Sequence, residues 1–537
     1  MDIRNISPNQ IVIWCALLLG LGVAVVIGNA VGGSDMRFVA GVLAAIPLAV
    51  IFVKLKTNIW VLLPIGWYLT GRLPWLPLPF TVRDLCMMAV IGVFTLFFAT
   101  RTLPWKRKLS TLDYLIYINL AYLVTVYVRN PAGFWAMQTS MVGGRPYFEI
   151  GLAFGAFIVL SRVNLTDTVA RIFPLLFVIP AWGVALLDAV ARVVPTLTAP
   201  LNAAYSGFGS AGTSSAVGAI EREVGVGQTR LGGMQNAGLS SITALCAKYN
   251  PLTLVSPLYP WRLFMLCCAI GAIFLSGFRS VLLFAMAAFL LGALLRRRLA
   301  DLWVSAGVGL LAILMLVSLQ GVVQLPPTMQ RALSWLPGDW NPEIVEEASW
   351  SSQWRFEMWA WAWNDDRILR DRVWGQGFGL SLDDMNIIAQ SLLYQGSPGF
   401  VGGSDREGTM LVGSFHNGPL STIKFIGVVG LALYYPLMCY MAVVAWRLCK
   451  RAMGTKAFTL SLFVGIPIIY EPFNFVFIFG GLDSNFPQLL FWAGLLNMTQ
   501  LYVELLTGST SRKQEGVSAN SRTPARELEP MLSKRVA

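Results

Sequence analysis

The chain has 537 residues, 56% of them apolar and only 13% charged, with a mean hydropathy of +0.63. Soluble globular domains carry about a quarter of their residues as charges, so this composition excludes one and leaves a polytopic, all-α membrane protein. The net charge of +12 does not indicate nucleic acid, because most of the excess lies in loops and the tail, where the positive-inside rule accounts for it.

Apolar runs long enough to cross about 30 Å of hydrocarbon recur from end to end. The first, Ile11 to Val31, is too long for the core of a signal peptide and follows one basic residue, Arg4, so it is expected to be a retained helix. Helices are expected near 11–31, 37–54, 57–71, 83–100, 112–128, 147–163, 167–190, 236–256, 259–276, 278–295, 300–323, 417–446, 456–478 and 484–505. That makes fourteen spans, and twelve with two re-entrant segments would keep the same parity. Basic clusters at Lys54/Lys56, Arg101 to Lys108, Arg162/Arg171, Lys248/Arg262, Arg296 to Arg298 and Arg447 to Lys456 then fall on one side, together with both termini. The rule makes that side cytoplasmic.

Three polar regions are then expected on the far side: Arg129–Tyr147, Arg192–Gln235 and Val322–His416. The second is rich in Gly, Ser and Ala and reads as mobile. The third divides an N-terminal helix bundle (1–323) from the C-terminal helices (417–505), as a loop domain over 324–416. It holds eight of the nineteen tryptophans and ends at the single histidine, His416. Within it, residues 351–373 start with a serine pair suited to helix capping and lack Pro and Gly, which predicts a helix. Its tryptophans at 354, 359, 361 and 363 suit either the membrane interface or packing inside the loop domain. Residues 506–537 read as a disordered cytoplasmic tail.

The seven cysteines lie in or beside apolar segments without metal-ligand spacing, so neither a disulfide nor a zinc site is expected. The topology puts Arg230, Arg279 and His416 at one depth, at the far-side ends of three separate helices. Arginine binds phosphate oxygens bidentately, and histidine accepts a proton near neutral pH. Two guanidiniums and an imidazole suit a reaction that expels a pyrophosphate while a hydroxyl is deprotonated. Each alone has a plainer role, the arginines at lipid headgroups and the histidine as a structural residue at a helix end.

Four motifs, in order, resemble the O-antigen ligase / O-antigen polymerase superfamily of bacterial envelope glycosyltransferases. Arg230-Leu231-Gly232-Gly233 with Asn236 resembles its Arg-x-x-Gly…Asn segment. Ser276-Gly277-Phe278-Arg279-Ser280 resembles its Ser/Thr-Gly-Ser-Arg-Gly helix start. Arg355 to Trp359 and then Trp374 to Gly379 resemble its Arg-x-x-x-Trp…Gly-x-Gly-x-Gly block. His416-Asn417, Leu420, Gly427 and Gly430 resemble its closing His-Asn…Leu…Gly-x-x-Gly segment. The glycine run follows no alternating strand, so it is not a nucleotide site.

The resemblance covers about residues 225–500 and implies a metal-independent, inverting glycosyltransferase without a cofactor. Its donor would be an undecaprenyl-diphosphate-linked glycan. Arg230 and Arg279 would stabilise the departing pyrophosphate and His416 would deprotonate or orient the acceptor hydroxyl. Arg355, Arg145, Lys424, Asn417 and Glu471 complete the candidate binding set. Arg355 and Arg145 would touch glycan phosphates or pair with loop carboxylates. Lys424 stands where the family often has an acidic residue; about 12 Å beyond His416 along a helix, it would snorkel to a headgroup or add charge to the phosphate site. Glu471, an intramembrane carboxylate, is expected to have a basic partner or to orient an arginine of the site. A polymerase of exopolysaccharide or O-antigen repeat units, with a chain-length regulator as partner, is the first expectation. A ligase delivering finished glycan to lipid A core or protein is the second. The rival from another class is a lipid-linked glycan flippase, which would line a midplane path with charges instead.

Overall fold

The computed structural model describes residues 55–74, 80–100, 109–133, 143–206, 232–394 and 403–520. The expected helices at 11–31 and 37–54 lie outside them. Among the described residues there is no strand, only an isolated antiparallel bridge between Arg72 and Thr81.

A 3-10 turn, Lys56–Val61, runs into α1, Leu62–Gly66. The expected span at 57–71 is therefore corrected: a five-residue helix cannot cross a bilayer. There follow α2 (Val82–Ala99), α3 (Thr111–Arg129) and α4 (Arg145–Leu160), then α5 (Asp167–Ile172), α6 (Leu175–Val193) and α7 (Pro195–Ala204). Thr81 with Asp84, and Ser110 with Asp113, close reciprocal capping boxes that start α2 and α3 where the apolar periodicity begins. The helix α7 occupies the start of the Gly/Ser/Ala-rich stretch expected to be mobile; residues 207–231 lie outside the described residues.

The span expected at 236–256 divides into α8 (Gly232–Lys248) and α9 (Pro251–Val255), because Pro251 cannot continue the helix. Next come α10 (Pro260–Ser276), α11 (Arg279–Leu295) and α12 (Leu299–Gln320). The loop region carries α13 (Pro327–Leu333), α14 (Pro342–Asn364), α15 (Leu382–Tyr394) and α16 (Gly403–Leu411). The chain closes with α17 (Gly418–Ala452), α18 (Phe458–Phe473), a π-helical turn at Asn474–Ile478, and α19 (Leu482–Asn520). Helix α19 is described through Asn520, and residues 521–537 of the expected tail lie outside the described residues.

Seven described helices are long and apolar enough to cross a membrane: α2, α3, α5 with α6, α12, α17, α18 with its π turn, and α19. Two shorter apolar helices, α10 and α11, accompany them. The centre is α18, packed against α8, α11, α17 and α19. By contrast α12 lies at the rim, with Trp303 and Met315 78% and 67% exposed, as a lipid-facing helix would be.

Arg296, at the far end of α11, donates to the carbonyls of Cys246 (2.7 Å) and Ala247 (2.5 Å) at the end of α8. Orphan C-terminal carbonyls of one helix are thus satisfied by the last turn of another, so α8 and α11 run parallel and both start at the loop-bearing end.

Two expectations about the loop are corrected. The helix begins at Pro342, capped by Asn341, whose side chain accepts from the Glu343 N–H at 2.9 Å, and it stops at Asn364. Ser351 and Ser352 sit inside it, and Asp365 leaves it for a turn held by Arg367. The division at 416/417 is also crossed by packing. A small core of Met358, Ala362, Ile368, Leu369, Met410, Leu411 and Phe415 takes in Leu420 of α17.

Helix α17 breaks at Gly427, whose φ of 73° and ψ of 176° belong to a region that only glycine occupies readily. The loop uses that break. Gln376 and Gly377 donate to the carbonyls of Lys424 and Phe425 (3.0 and 2.9 Å), and Val428 donates to Arg372 (2.8 Å). Residues 418–426 therefore join the loop to the bundle, where Gly418 meets Phe475 and Ser421 Oγ accepts from the Leu482 N–H. The glycine run at 375–379, read from sequence only as a motif, is the segment that closes on this break.

Candidate functional site

His416 has a left-handed backbone, φ 53°, uncommon for a residue with a side chain. It is followed at once by the helix cap: Asn417 Oδ1 accepts from the Leu420 N–H at 2.9 Å and Gly418 and Pro419 enter the first turn. The turn at His416 directs its ring onto Phe479, centroids 4.9 Å apart and planes 28° from parallel. Gly418 has no room for a side chain, since a Cβ there would lie 2.5 Å from the carbonyl oxygen of Phe475. Phe475 and Phe479 come from, and just after, the π-helical turn that ends α18. Such turns shift the register of the residues beyond them, and here they present Phe479 to the imidazole.

Arg279 stands at the first position of α11, after a corner in which Gly277 takes φ 70° to close α10. Ser276 Oγ stiffens the corner by donating to Ile273 O at 2.6 Å. The guanidinium reaches toward the loop: Nε donates to Arg331 O at 3.1 Å and Nη2 to Ser334 Oγ at 2.6 Å. Its plane is thereby oriented by the end of α13.

Arg279 and the His416 segment share a level of the bundle. Phe284 of α11 meets Tyr470 of α18 at 5.2 Å between centroids. Arg279 and Phe475 each lie five residues from that contact toward the loop-bearing end, about 7.5 Å, and Gly418 is pressed on Phe475. Arg230 lies outside the described residues. The helix that starts two residues after it, α8, packs against both α11 and α18 with its N-terminus at the same end. The helices headed by the three candidate segments therefore all pack on α18 and all start at one end.

The other candidates behave differently. Arg145 pairs with carboxylates, among them Glu149 of its own helix (2.7 Å) and Asp84 of α2 (3.2 Å). Arg83 extends the chain by binding Glu149 at 2.9 Å. The first of the two expectations for Lys424, snorkelling, is corrected: its buried ammonium donates to Ile368 O (3.2 Å) and Met410 O (3.0 Å), so it clamps the loop and does not reach a headgroup. Among the described residues the hydrogen-bond partners of Glu471 are two carboxamides, Asn485 at 2.9 Å and Asn474 at 3.3 Å. Arg355 lies half-buried on α14, one turn before Trp359 on the same stripe.

Sequence reasoning singled out Trp359 and Trp363 but not their partners, and it missed Tyr122. Trp359 donates its indole N–H to Phe415 O at 2.7 Å. Trp359 and Trp363 then face Asn417, Pro419, Leu420 and Ile423 across an open cleft of about 540 Å³. Tyr122 of α3 donates toward Ile426 O (2.9 Å) and Trp374 O (3.1 Å), holding both sides of the break. The four-residue spacing of Arg355, Trp359 and Trp363 was the one available signal for a functional stripe.

No protein-family model, curated protein or solved structure matches this chain.

Proposed function

We propose that this protein is a membrane glycosyltransferase that moves a glycan from a polyprenyl-diphosphate carrier to a glycan acceptor at the loop-bearing, periplasmic end. The observation that carries the reading is the convergence on α18: the helices beginning at Gly232, Arg279 and Gly418 all pack against it and start at the loop-bearing end. The four motifs described above supply the reaction class.

In this reading the acceptor hydroxyl attacks the anomeric carbon from the face opposite the diphosphate. Its proton passes to His416 as the new C–O bond forms, the bond to the phosphate oxygen breaks, and polyprenyl diphosphate leaves. Arg279, oriented by Arg331 O and Ser334 Oγ, stabilises the charge on the departing diphosphate, and Arg230 joins it. Such preoriented cations act most strongly where charge develops. The stacking of His416 on Phe479 sets the ring for proton transfer. A positioned base contributes about 10² to 10⁴-fold.

The test is transfer in detergent, without closed membranes, from a polyprenyl-diphosphate-linked donor. Wild type is expected to release polyprenyl diphosphate, and Arg279→Gln and His416→Ala to lose transfer while accumulating normally. Normal transfer by both variants removes the mechanism, and activity only across sealed membranes indicates a flippase. The carrier left in a deletion strain separates the two glycosyltransferases. Single repeats on lipid mean a polymerase, the reading proposed here, and long lipid-linked chains mean a ligase.

A further inference from the structure

The cleft between α14 and residues 417–423 is not used by any step above. Its walls are the indoles of Trp359 and Trp363 on one side and Pro419, Leu420 and Ile423 on the other. Two carboxamides, Asn364 and Asn417, stand at its edge. Asn417 spends its oxygen on the Leu420 N–H (2.9 Å), which leaves its amide N–H groups to donate. Asn364 spends an N–H on Ala360 O (2.9 Å), which leaves its oxygen to accept. The indole N–H of Trp359 is used on Phe415 O, so that ring offers only its π surface and edges. Trp363 is held beneath the guanidinium of Arg372, 5.6 Å from the ring centroid.

We propose that this cleft is a subsite for a pyranose ring of the acceptor glycan, delivering its hydroxyl to His416. A pyranose has an apolar face of C–H groups and a rim of hydroxyls that both donate and accept. The cleft offers the complement: aromatic surface, one fixed donor and one fixed acceptor. A lipid acyl chain would cover the indoles but bury both carboxamides against hydrocarbon, where an unpaired polar group is penalised. The size, about 540 Å³, lies within the roughly 300–1,000 Å³ of small-ligand sites. The cleft lies beside the proposed base in the chain, because Asn417, one of its lining residues, directly follows His416. The inference rests on the glycosyltransferase reading for the word acceptor; that a sugar binds here is tested without any transfer.

The experiment uses the full-length protein in lipid nanodiscs and a panel of lipid-free oligosaccharides built from hexoses, 6-deoxyhexoses and N-acetylhexosamines. Binding is read by saturation-transfer NMR and tryptophan fluorescence, with no lipid-linked donor present. At least one member is expected to bind. Its affinity should fall about tenfold in Trp363→Ala and in Asn364→Ala, recover partly in Trp363→Tyr, and stay unchanged in the lipid-facing control Trp303→Ala. Binding by no member of the panel, or equal affinity in wild type, Trp363→Ala and Asn364→Ala, overturns the proposal. Quenching of Trp363 by brominated lipid that sugar fails to relieve also overturns it and assigns the cleft to lipid. Sugar binding that follows this pattern in a protein incapable of transfer leaves the subsite standing and defeats the transferase reading. Transfer with an unaltered acceptor KM in Trp363→Ala does the reverse.

Discussion

The indole of Trp359 donates to the carbonyl oxygen of Phe415 at 2.7 Å, which ties the tryptophan helix to the residue immediately before His416. Phe415 is fully buried, so its carbonyl loses a partner that water cannot replace. Trp359→Phe keeps most of the ring and removes the donor, and an orphaned buried acceptor costs about 1–3 kcal/mol. The expected outcome is a lower unfolding temperature and slower transfer, with normal amounts of protein in the membrane. Unaltered values for both would show that the bond positions nothing.

His416 pairs a functional ring with a left-handed backbone. Asn tolerates that conformation about as well as His, whereas a β-branched residue does not. His416→Asn is therefore expected to fold like wild type and fail to transfer glycan. His416→Val is expected to lose an additional 1–2 kcal/mol or so of stability. Thermal unfolding and the detergent assay separate the two effects, and an active His416→Asn enzyme would remove the base from the mechanism.

Lys424 holds Ile368 and Met410 together through their carbonyl oxygens. Lys424→Met retains the aliphatic stem and removes both hydrogen bonds. Each orphaned carbonyl costs about 1–3 kcal/mol, so residues 365–415 should become sensitive to limited proteolysis under native conditions. Normal protease resistance together with weakened binding of the lipid-linked donor would instead make Lys424 a contact for the diphosphate.

Gly427 lets the chain of α17 break where Val373 and Gly375 approach its backbone. Gly427→Ala must place a Cβ into Val373 in a conformation that costs about 1–3 kcal/mol for any other residue. The expected result is much less folded protein, because the clamp made by Gln376, Gly377 and Val428 depends on this backbone. Gly454→Ala is the matched control: it also has a positive φ, 79°, but no atom within 4 Å of the added carbon. Equal yields from the two variants would show that the close approach at Gly427 is unimportant.

Helix positions were legible where a capping residue met an apolar run, as at Thr81, Ser110 and Asn417. They were misread where that local pairing was ambiguous. Ser351 and Ser352 look like a cap, yet Asn341 and Pro342 start the helix ten residues earlier. The stretch at 57–71 is apolar enough for a span and is folded as a 3-10 turn and one short helix. The candidate residues divide in the same way. Arg279 and His416 lie at helix starts that the topology located, whereas two partners, Asp84 of Arg145 and Asn485 of Glu471, come from chain segments that no periodicity connects to them.

Hydropathy and charge, which act residue by residue and so survive in the bare string, determined that this is a helical membrane protein with one tryptophan-rich loop ending at its only histidine. Which groups meet was left to the tertiary structure. A break at Gly427 lets the loop bond to the backbone of α17, and a π-helical turn carries Phe479 to His416. Both depend on close backbone approach between segments about fifty or more residues apart, and that information resides in packing rather than in any local pattern.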